Sequence, residues 1–373
     1  MSRFIAAGLA VALVAGTAAF ASAQSVLDTV PIGAKAQAIA VNAATNKAYA
    51  VGGMANTLVE IDGLTGATVP IPLQATNDIA HAEVVVNPNT NTIYVTNVVS
   101  NNVAVVNGAT RAVSFIPLGV QTYSIALNVI TNKIYVTHFD AAMVSVIDGV
   151  TKNVVTVPVG FQPSAIVVNQ KTNRIYVANT GSNSVSVING VDNTVAPVPV
   201  GSYPMELALD EAGNRVFVVN LLSDSITIIA GSTNTTQAVA LPAGSRPHLA
   251  AYNPVQKRLY VAFQFPGNLA VVNPGNRTFQ MLATGAFVTD MVVDKWRNKV
   301  YLADPTANQL VVLDGATLAK TTVPNVGAHL WALALNTLTN VVHGASLMSD
   351  SVSVFAGAPA PIPWATFKTL KLY

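Results

Sequence analysis

The sequence contains no cysteine and very little charge. The missing cysteines exclude disulfides, thiolate metal ligands, a cysteine nucleophile and a lipidated N-terminal cysteine. Charged residues make up only 10% of the 373 residues and hydrophobic residues 51%, a balance that excludes ordinary disorder. There are 19 basic against 17 acidic residues, and no basic cluster marks a duplex nucleic acid as a partner. Such a chain depends for its stability on burial and backbone pairing.

Long apolar runs are also missing, except at the N-terminus. There Arg3 precedes an alanine-rich apolar stretch that ends near Phe20, and residues 21–23 (Ala-Ser-Ala) offer a small-residue cleavage site. The pattern predicts a signal peptide over residues 1–23. A short membrane anchor is the alternative, but the run is short for a bilayer. After cleavage we expect no membrane span and a periplasmic, secreted or cell-surface location.

A six-residue phrase built around an aromatic residue recurs eight times, at intervals of 41 to 45 residues. Its aromatic positions are Tyr49, Tyr94, Tyr135, Tyr176, Phe217, Tyr260, Tyr301 and, in the last unit, His343. Each unit holds four short apolar segments separated by turn residues, as at 125–128, 133–138, 143–148 and 153–159. Four antiparallel strands repeated at this period are typical of the blades of a β-propeller.

The two ends of the repeat region complement each other. Residues 25–33 match the fourth strand of a unit, whereas the last unit supplies only three strands and ends near 352–357. We therefore predict an all-β fold, a single β-propeller over residues 24–357 whose ring is closed by the N-terminal strand. Eight blades fit the spacing, and seven are the alternative. A proline-containing tail over 358–373 either stays disordered or adds an outer strand.

Two phrases resemble the YVTN family of β-propeller repeats: IALNVITNKIYVTH at 125–138 and IVVNQKTNRIYVAN at 166–179. The resemblance extends over about 25–357. It implies a propeller that serves as an exported or surface-layer-like interaction scaffold, and it transfers no catalytic residue because the tyrosine phrase belongs to the scaffold. His343 departs from the pattern, and we expect it to be packed in the place of a tyrosine.

Histidine and acidic side chains gather in the loops of one expected face, around the axial channel. When the units are aligned on the polar residue that ends each first strand, Glu83, Glu206 and Asp290 share one repeat position. The candidate binding residues at the channel mouth are His81, Glu83, Tyr123, His138, Asp140, Glu206, His248, Asp290, Asp304, His329 and Trp331. Loops also tolerate polar residues without any function, which is the alternative interpretation.

No zinc-protease helix motif, phosphate-binding loop or serine-hydrolase elbow is present in the sequence. The leading hypothesis is a non-enzymatic, monomeric scaffold that binds a protein, peptide or envelope polymer. One alternative is a metal-assisted hydrolase, lactonase or lyase with its site at the channel mouth, and another is a structural surface-layer component. No cofactor is predicted, and a divalent metal is the one ion that the histidines and acids could hold.

Overall fold

The computed structural model describes residues 25–33, 35–52, 57–73, 82–264 and 267–357. These residues form 32 β-strands and one short 3₁₀ helix, Thr180–Ser182. No helix in these ranges is long and apolar enough to cross a membrane. The expected signal peptide and the C-terminal tail lie outside the described residues.

The strands form eight four-stranded antiparallel sheets, which are the blades of the propeller. Blade 1 contains β2 (Ala36–Asn42), β3 (Lys47–Gly52), β4 (Thr57–Asp62) and β5 (Thr68–Pro72); blade 2 contains β6 (Val84–Asn87), β7 (Thr92–Asn97), β8 (Asn102–Asn107) and β9 (Val113–Pro117). Blade 3 contains β10 (Ile125–Asn128), β11 (Lys133–His138), β12 (Met143–Asp148) and β13 (Val154–Pro158); blade 4 contains β14 (Pro163–Asn169), β15 (Arg174–Asn179), β16 (Ser184–Asn189) and β17 (Val195–Pro199).

The second half of the chain repeats the pattern. Blade 5 contains β18 (Pro204–Asp210), β19 (Arg215–Asn220), β20 (Ser225–Ala230) and β21 (Thr236–Ala240); blade 6 contains β22 (Pro247–Asn253), β23 (Arg258–Phe263), β24 (Asn268–Asn273) and β25 (Thr278–Ala283). Blade 7 contains β26 (Asp290–Asp294), β27 (Lys299–Asp304), β28 (Gln309–Asp314) and β29 (Lys320–Pro324); blade 8 contains β30 (Leu330–Asn336), β31 (Val341–Ser346), β32 (Ser351–Ala356) and, as its fourth strand, β1 (Val26–Pro31).

The ring is closed by strands from opposite ends of the repeat region. β1 pairs antiparallel with β32, so that Val30 lies opposite Val352 and Pro31 opposite Ser351. Blade 8 is therefore built from both ends of the chain. The prediction of eight blades closed by the N-terminal strand is confirmed.

Burial explains why the strands are apolar on both faces. The second and third strands of most blades, such as β11 and β12, are buried at four or more consecutive positions, because each sheet packs against two neighbouring sheets. The first strands contact one another from blade to blade around the ring. They are thus the innermost strands, and they surround the axial channel.

Neighbouring blades are joined by hydrogen bonds between asparagine side chains. An asparagine at the end of a first strand donates its Nδ2–H to the Oδ1 of an asparagine in the first turn of the next blade. The six pairs are Asn42–Asn91, Asn87–Asn132, Asn128–Asn173, Asn169–Asn214, Asn253–Asn298 and Asn336–Asn46, at 2.7–3.0 Å. We call these pairs the asparagine belt. They lie at the end of the channel opposite the predicted mouth.

The acceptor of each belt pair has a left-handed backbone conformation. Asn132, for example, has φ 51°, a value that asparagine tolerates better than most residues. Its backbone carbonyl accepts a hydrogen bond from the N–H of Gly149, and a Cβ at Gly149 would overlap Asn132. The Asp-Gly and Asn-Gly turns are therefore needed for close packing against the belt, as well as for the hairpin. Lys257 breaks the asparagine series but keeps the left-handed conformation, with φ 53°.

Two blades replace the belt donor by an aspartate. Asp210 accepts from Arg215 at 2.7 Å, and Asp294 accepts from Arg297 at 3.2 Å, each within its own blade. A buried carboxylate is costly unless it is paired, so each aspartate requires a nearby arginine.

We predict that Asn128→Asp lowers the free energy of unfolding by at least about 2 kcal/mol, because it places an unpaired carboxylate against the Oδ1 of Asn173. Asn153→Asp makes the same chemical change at an exposed position and should shift the free energy by less than about 0.5 kcal/mol. Urea denaturation followed by circular dichroism measures the free energy of unfolding of both variants and of the wild type. Equal effects of the two substitutions would contradict the importance of the belt.

Candidate functional site

Three carboxyl groups face the axial channel from different sides of the ring. Glu83, Glu206 and Asp290 lie at the start of the first strands of blades 2, 5 and 7, at the end opposite the asparagine belt. Glu206 directly follows a β-bulge in β18, and such bulges re-aim side chains. All three side chains are only partly accessible to solvent. The structure thus brings the predicted acids together around the channel.

Two of these acids bind the next blade. Glu83 accepts hydrogen bonds through Oε2 from the backbone N–H of Ile125 and the hydroxyl of Ser124, both at 2.9 Å. Asp290 accepts through Oδ2 from the backbone N–H of Leu333 at 2.7 Å. Ile125 and Leu333 occupy equivalent positions in blades 3 and 8. Glu83 and Asp290 therefore act as links between blades as well as charges in the channel.

Glu206 is different from the other two acids. Its Oε1 accepts the N–H of Leu207, its own neighbour, at 2.9 Å. It makes no hydrogen bond to blade 6 within the described part of the chain. Its second oxygen is consequently available to a molecule in the channel.

Burial raises the pKa of all three groups, because a carboxylate loses solvation in the channel wall. For Glu206 burial has the largest effect, the Leu207 N–H opposes it, and the charges of Glu83 and Asp290 raise the pKa further, to about 7. Since Glu83 and Asp290 belong to blades elsewhere in the ring, their charges reach Glu206 across the channel. Burial raises the pKa of Asp290 to about 6, against two backbone N–H groups. Burial also raises the pKa of Glu83, against its bonds to Ile125 and Ser124.

Two tyrosines lie beside these acids. Burial raises the pKa of Tyr123, and the charges of Glu83, Tyr203 and Glu206 raise it further, which places all four groups near one another. Tyr123 stacks on Phe139, with ring centroids 5.0 Å apart. Tyr203 has φ 59°, a left-handed conformation that recurs at this repeat position in other blades.

His248 lies in blade 6, next to blade 7. Its Nε2–H donates to the carbonyl of Val288 at 2.9 Å, and its ring stacks on Phe287 at 5.7 Å. Its Nδ1 has no partner among the described residues. Burial lowers the pKa of His248, against the effect of its backbone hydrogen bonds, so the imidazole is neutral at pH 7.

His329 and Trp331 form an aromatic pair at the rim of blade 8. Their ring centroids are 5.8 Å apart with an interplanar angle of 13°, and Trp331 is 39% exposed. His329 also has a left-handed backbone, with φ 61°. This pair offers a flat apolar surface beside the channel.

The remaining candidates lie elsewhere. His138 is fully buried in blade 3, where Nδ1–H donates to the carbonyl of Gln121 and Nε2 accepts from Ser145, both at 2.8 Å. Asp304 is fully buried in blade 7 and accepts from Gln309 at 2.8 Å. These two residues support loops from inside their blades. Asp140 is exposed in the loop between β11 and β12, and His81 lies outside the described residues.

Sequence reasoning did not include Tyr203, Phe139 or Phe287. Tyr203 and His329 occupy the same repeat position, seven residues before the polar residue that ends the first strand, where Gln162 and Arg246 are also left-handed. The alignment that revealed the acids could have revealed this position. The aromatic contacts of Phe139 and Phe287 join different loops, and no spacing in the sequence encodes them.

The residues around the channel are suited to proton transfer. Among the described residues, no group of three or more histidine and acidic side chains is arranged to hold a metal ion. A carboxyl group whose pKa is about 7 can accept or donate a proton at neutral pH, and Tyr123 offers a hydroxyl group nearby. The geometry therefore combines a proton acceptor, a hydroxyl group and a partly enclosed channel.

Comparison with known proteins gives one family similarity. The sequence model described as lactonase, seven-bladed β-propeller, matches residues 83–243. This segment corresponds to blades 2 to 5 and covers less than half of the chain. The structure has eight blades, one more than that description states. No curated protein matches the sequence.

Several solved structures share the fold. The hydrazine synthase of Kuenenia stuttgartiensis is 17% identical with a TM-score of 0.59, covering 74% of this chain and 95% of that one. Virginiamycin B lyase from Staphylococcus aureus is 11% identical with a TM-score of 0.56, covering 73% and 93%. A streptogramin B lyase is 13% identical with a TM-score of 0.58, covering 89% and 96%. These similarities establish a propeller and leave the activity open.

We predict that Glu206 makes the protein less stable as pH rises. A carboxyl group whose pKa is higher in the folded state favours folding below its unfolded value of about 4.5, and this stabilisation is lost as pH rises through about 7. Between these two pH values, the free energy of unfolding of the wild type should fall by about 1–2 kcal/mol relative to that of Glu206→Gln. The fall is smaller than the full pKa shift would give, because channel water screens part of the effect. Urea titrations of both proteins at several pH values measure this difference in the free energy of unfolding. A constant difference between the two proteins would contradict the raised pKa.

Proposed function

We propose that the channel mouth is an acid–base site that opens cyclic esters, with Glu206 as the general base. The observation that carries this proposal is the Glu206 carboxyl group, whose pKa is about 7 and whose second oxygen accepts no hydrogen bond from the part of the chain that the structure describes. A general base is most effective when its pKa lies near the working pH.

The chemistry follows from the residues around the channel. Deprotonated Glu206 removes a proton, either from a water molecule that attacks the ester carbonyl or from a carbon next to the bond that breaks. The first route gives hydrolysis and the second gives elimination. Tyr123, whose pKa the charges of Glu83 and Glu206 raise, would donate a hydrogen bond to the oxygen that gains charge. In hydrolysis the water oxygen bonds to the carbonyl carbon, the ester C–O bond breaks, and the leaving alkoxide takes up the proton that Glu206 removed. In elimination a C–H bond and the neighbouring alkyl C–O bond break, a C=C bond forms, the carboxylate leaves, and the proton on Glu206 passes to solvent.

The comparisons support this class of substrate. The family similarity carries the word lactonase, and two of the structural relatives are named as lyases of virginiamycin B or streptogramin B. We also propose that the reaction takes place outside the cytoplasm, since the N-terminal sequence has the pattern of a signal peptide.

We predict that Glu206→Gln lowers kcat for lactone opening by 10²- to 10⁴-fold, the typical contribution of general acid–base catalysis. A panel of γ- and δ-lactones and a cyclic depsipeptide should be assayed for ring opening. Wild-type activity should fall below pH 7 as Glu206 becomes protonated. Glu211→Gln, the same change in the same blade but beside the asparagine belt, is the matched control and should retain full activity. Full activity of Glu206→Gln would exclude the proposal.

A binding scaffold without catalysis is the second candidate function. The exposed aromatic pair His329–Trp331 favours it, because stacked rings at a rim suit contacts with a protein, peptide or envelope polymer. Such a scaffold would retain its ligand in Glu206→Gln and lose it when the aromatic surface is removed.

We predict that Trp331→Ala weakens binding to an envelope polymer at least tenfold if the mouth is a binding surface. Co-sedimentation with purified peptidoglycan measures the affinity. Trp296→Ala is the matched control, because Trp296 is 71% exposed and lies in the first turn of blade 7, at the belt end of the ring. Equal losses in both variants, or none, would exclude the mouth as the binding surface.

A further inference from the structure

The boundary between blades 8 and 1 differs from the other boundaries around the ring. In blades 2, 4 and 6, the aromatic residue of the second strand lies against the third hairpin turn of the next blade. The hydroxyl of Tyr176, for example, lies against Gly231 of blade 5. In blade 8 this position is occupied by His343, which is smaller than tyrosine.

The third hairpin turn of blade 1, which faces His343, also carries a smaller residue than the equivalent turns of other blades. The last residue of this turn is left-handed in blades 1 to 7, and in other blades its side chain packs on the preceding aromatic residue. The Nζ of Lys152 lies 5.5 Å from the centre of the Tyr94 ring, and Leu318 packs in the same apolar cluster as Tyr260. Blade 1 has Gly66 at this position, with φ 71°. Both sides of the boundary between blades 8 and 1 therefore lack the large side chains that meet at these other boundaries.

The result is a cavity of about 190 Å³. Its apolar wall is formed by Leu27, Ile61, Leu64 and Val354, and its polar groups include Asp28, Asp62, Thr65 and His343. An apolar cavity of about 150 Å³ in a protein is large enough to hold benzene. The volume therefore suits a single aromatic ring.

The His343 side chain lines this cavity, and one of its ring nitrogens, Nδ1, lacks a hydrogen-bond partner among the described residues. The side chain of His343 is 2% exposed. Burial lowers its pKa to about 4, so the imidazole is neutral at pH 7 and offers a lone pair. A buried polar group without a partner is costly, so the described residues leave this wall of the cavity incompletely satisfied.

The charge of the cavity is negative. Burial tends to raise the pKa of Asp62, but hydrogen bonds that its Oδ1 accepts from the backbone N–H groups of Leu64 and Thr65 bring the pKa below its usual value. Asp28 lies opposite, its Oδ2 about 3 Å from where a Cβ on Gly66 would be. The nearby Lys47 is paired with Glu60 at 2.6 Å, and its charge also lowers the pKa of Asp62. The carboxylates thus favour a cation at the position where other blades carry Arg111, Lys152 or Arg277.

We propose that this cavity binds a small aromatic cation, with its ring in the place of the missing tyrosine and its amidinium or ammonium group between Asp28 and Asp62. The site is at the closure of the ring, between the N-terminal strand β1 and blade 8. It is separate from the channel mouth and does not depend on the function proposed there.

Benzamidine is the probe, and isothermal titration calorimetry on the full-length wild-type protein measures its binding. Benzyl alcohol, of similar size and without charge, should bind more weakly. His343→Tyr restores the residue found in most other blades and should lower the benzamidine affinity at least tenfold by filling the cavity. Asp28→Asn should lower the affinity for benzamidine several-fold and leave the affinity for benzyl alcohol unchanged.

Circular dichroism and thermal melting confirm that each variant is folded. If His343→Tyr fails to fold, Gly66→Asn fills the cavity from the opposite wall, since asparagine occupies the equivalent left-handed position at Asn193 and Asn234. Loss of benzamidine binding in either folded variant supports the proposal. Unchanged affinity in the filled variant, or no binding by the wild type at millimolar benzamidine, overturns it.

Discussion

The hydrogen bond from one asparagine side chain to another, found among the described residues at six of the eight blade boundaries, is the contact on which the ring depends. It needs a donor at the end of a first strand, such as Asn128, and a left-handed acceptor in the next blade, such as Asn173. The acceptor in turn needs a glycine in its own hairpin turn, because a side chain there would overlap it. One polar contact therefore fixes the position of three segments in every blade that carries it.

The asparagine belt lies at one end of the first strands, and the three acids lie at the other end, around the axis. There burial raises the pKa of all three acids, and the charges of Glu83 and Asp290 raise the pKa of Glu206 further. Glu83 and Asp290 accept hydrogen bonds from backbone N–H groups of the next blade, whereas Glu206 accepts none from the next blade within the described ranges. The same repeat position thus holds two links between blades and one carboxyl group without such a link.

Ring closure introduces a second departure from the repeat. Blade 8 is completed by β1, a strand from the other end of the chain, and its aromatic position holds His343. A regular boundary would need a large side chain on each side, but this one has a histidine and a glycine. The resulting cavity lies where the two ends of the repeat region meet. The buried imidazole, which has no partner on its Nδ1, is therefore a consequence of local sequence change at the closure.

The sequence by itself determined the repeat, the eight blades, the closing strand and the alignment of Glu83, Glu206 and Asp290, because period, turn residues and strand alternation are local properties of the chain. Only the tertiary structure separated Glu206 from the other two acids, buried His138 and Asp304 inside their blades, and placed Tyr203 beside Tyr123. These outcomes depend on which atoms of the next blade, or of the far side of the channel, lie within a few ångströms. Such distances arise when the ring closes, and the spacing of residues along the chain does not contain them.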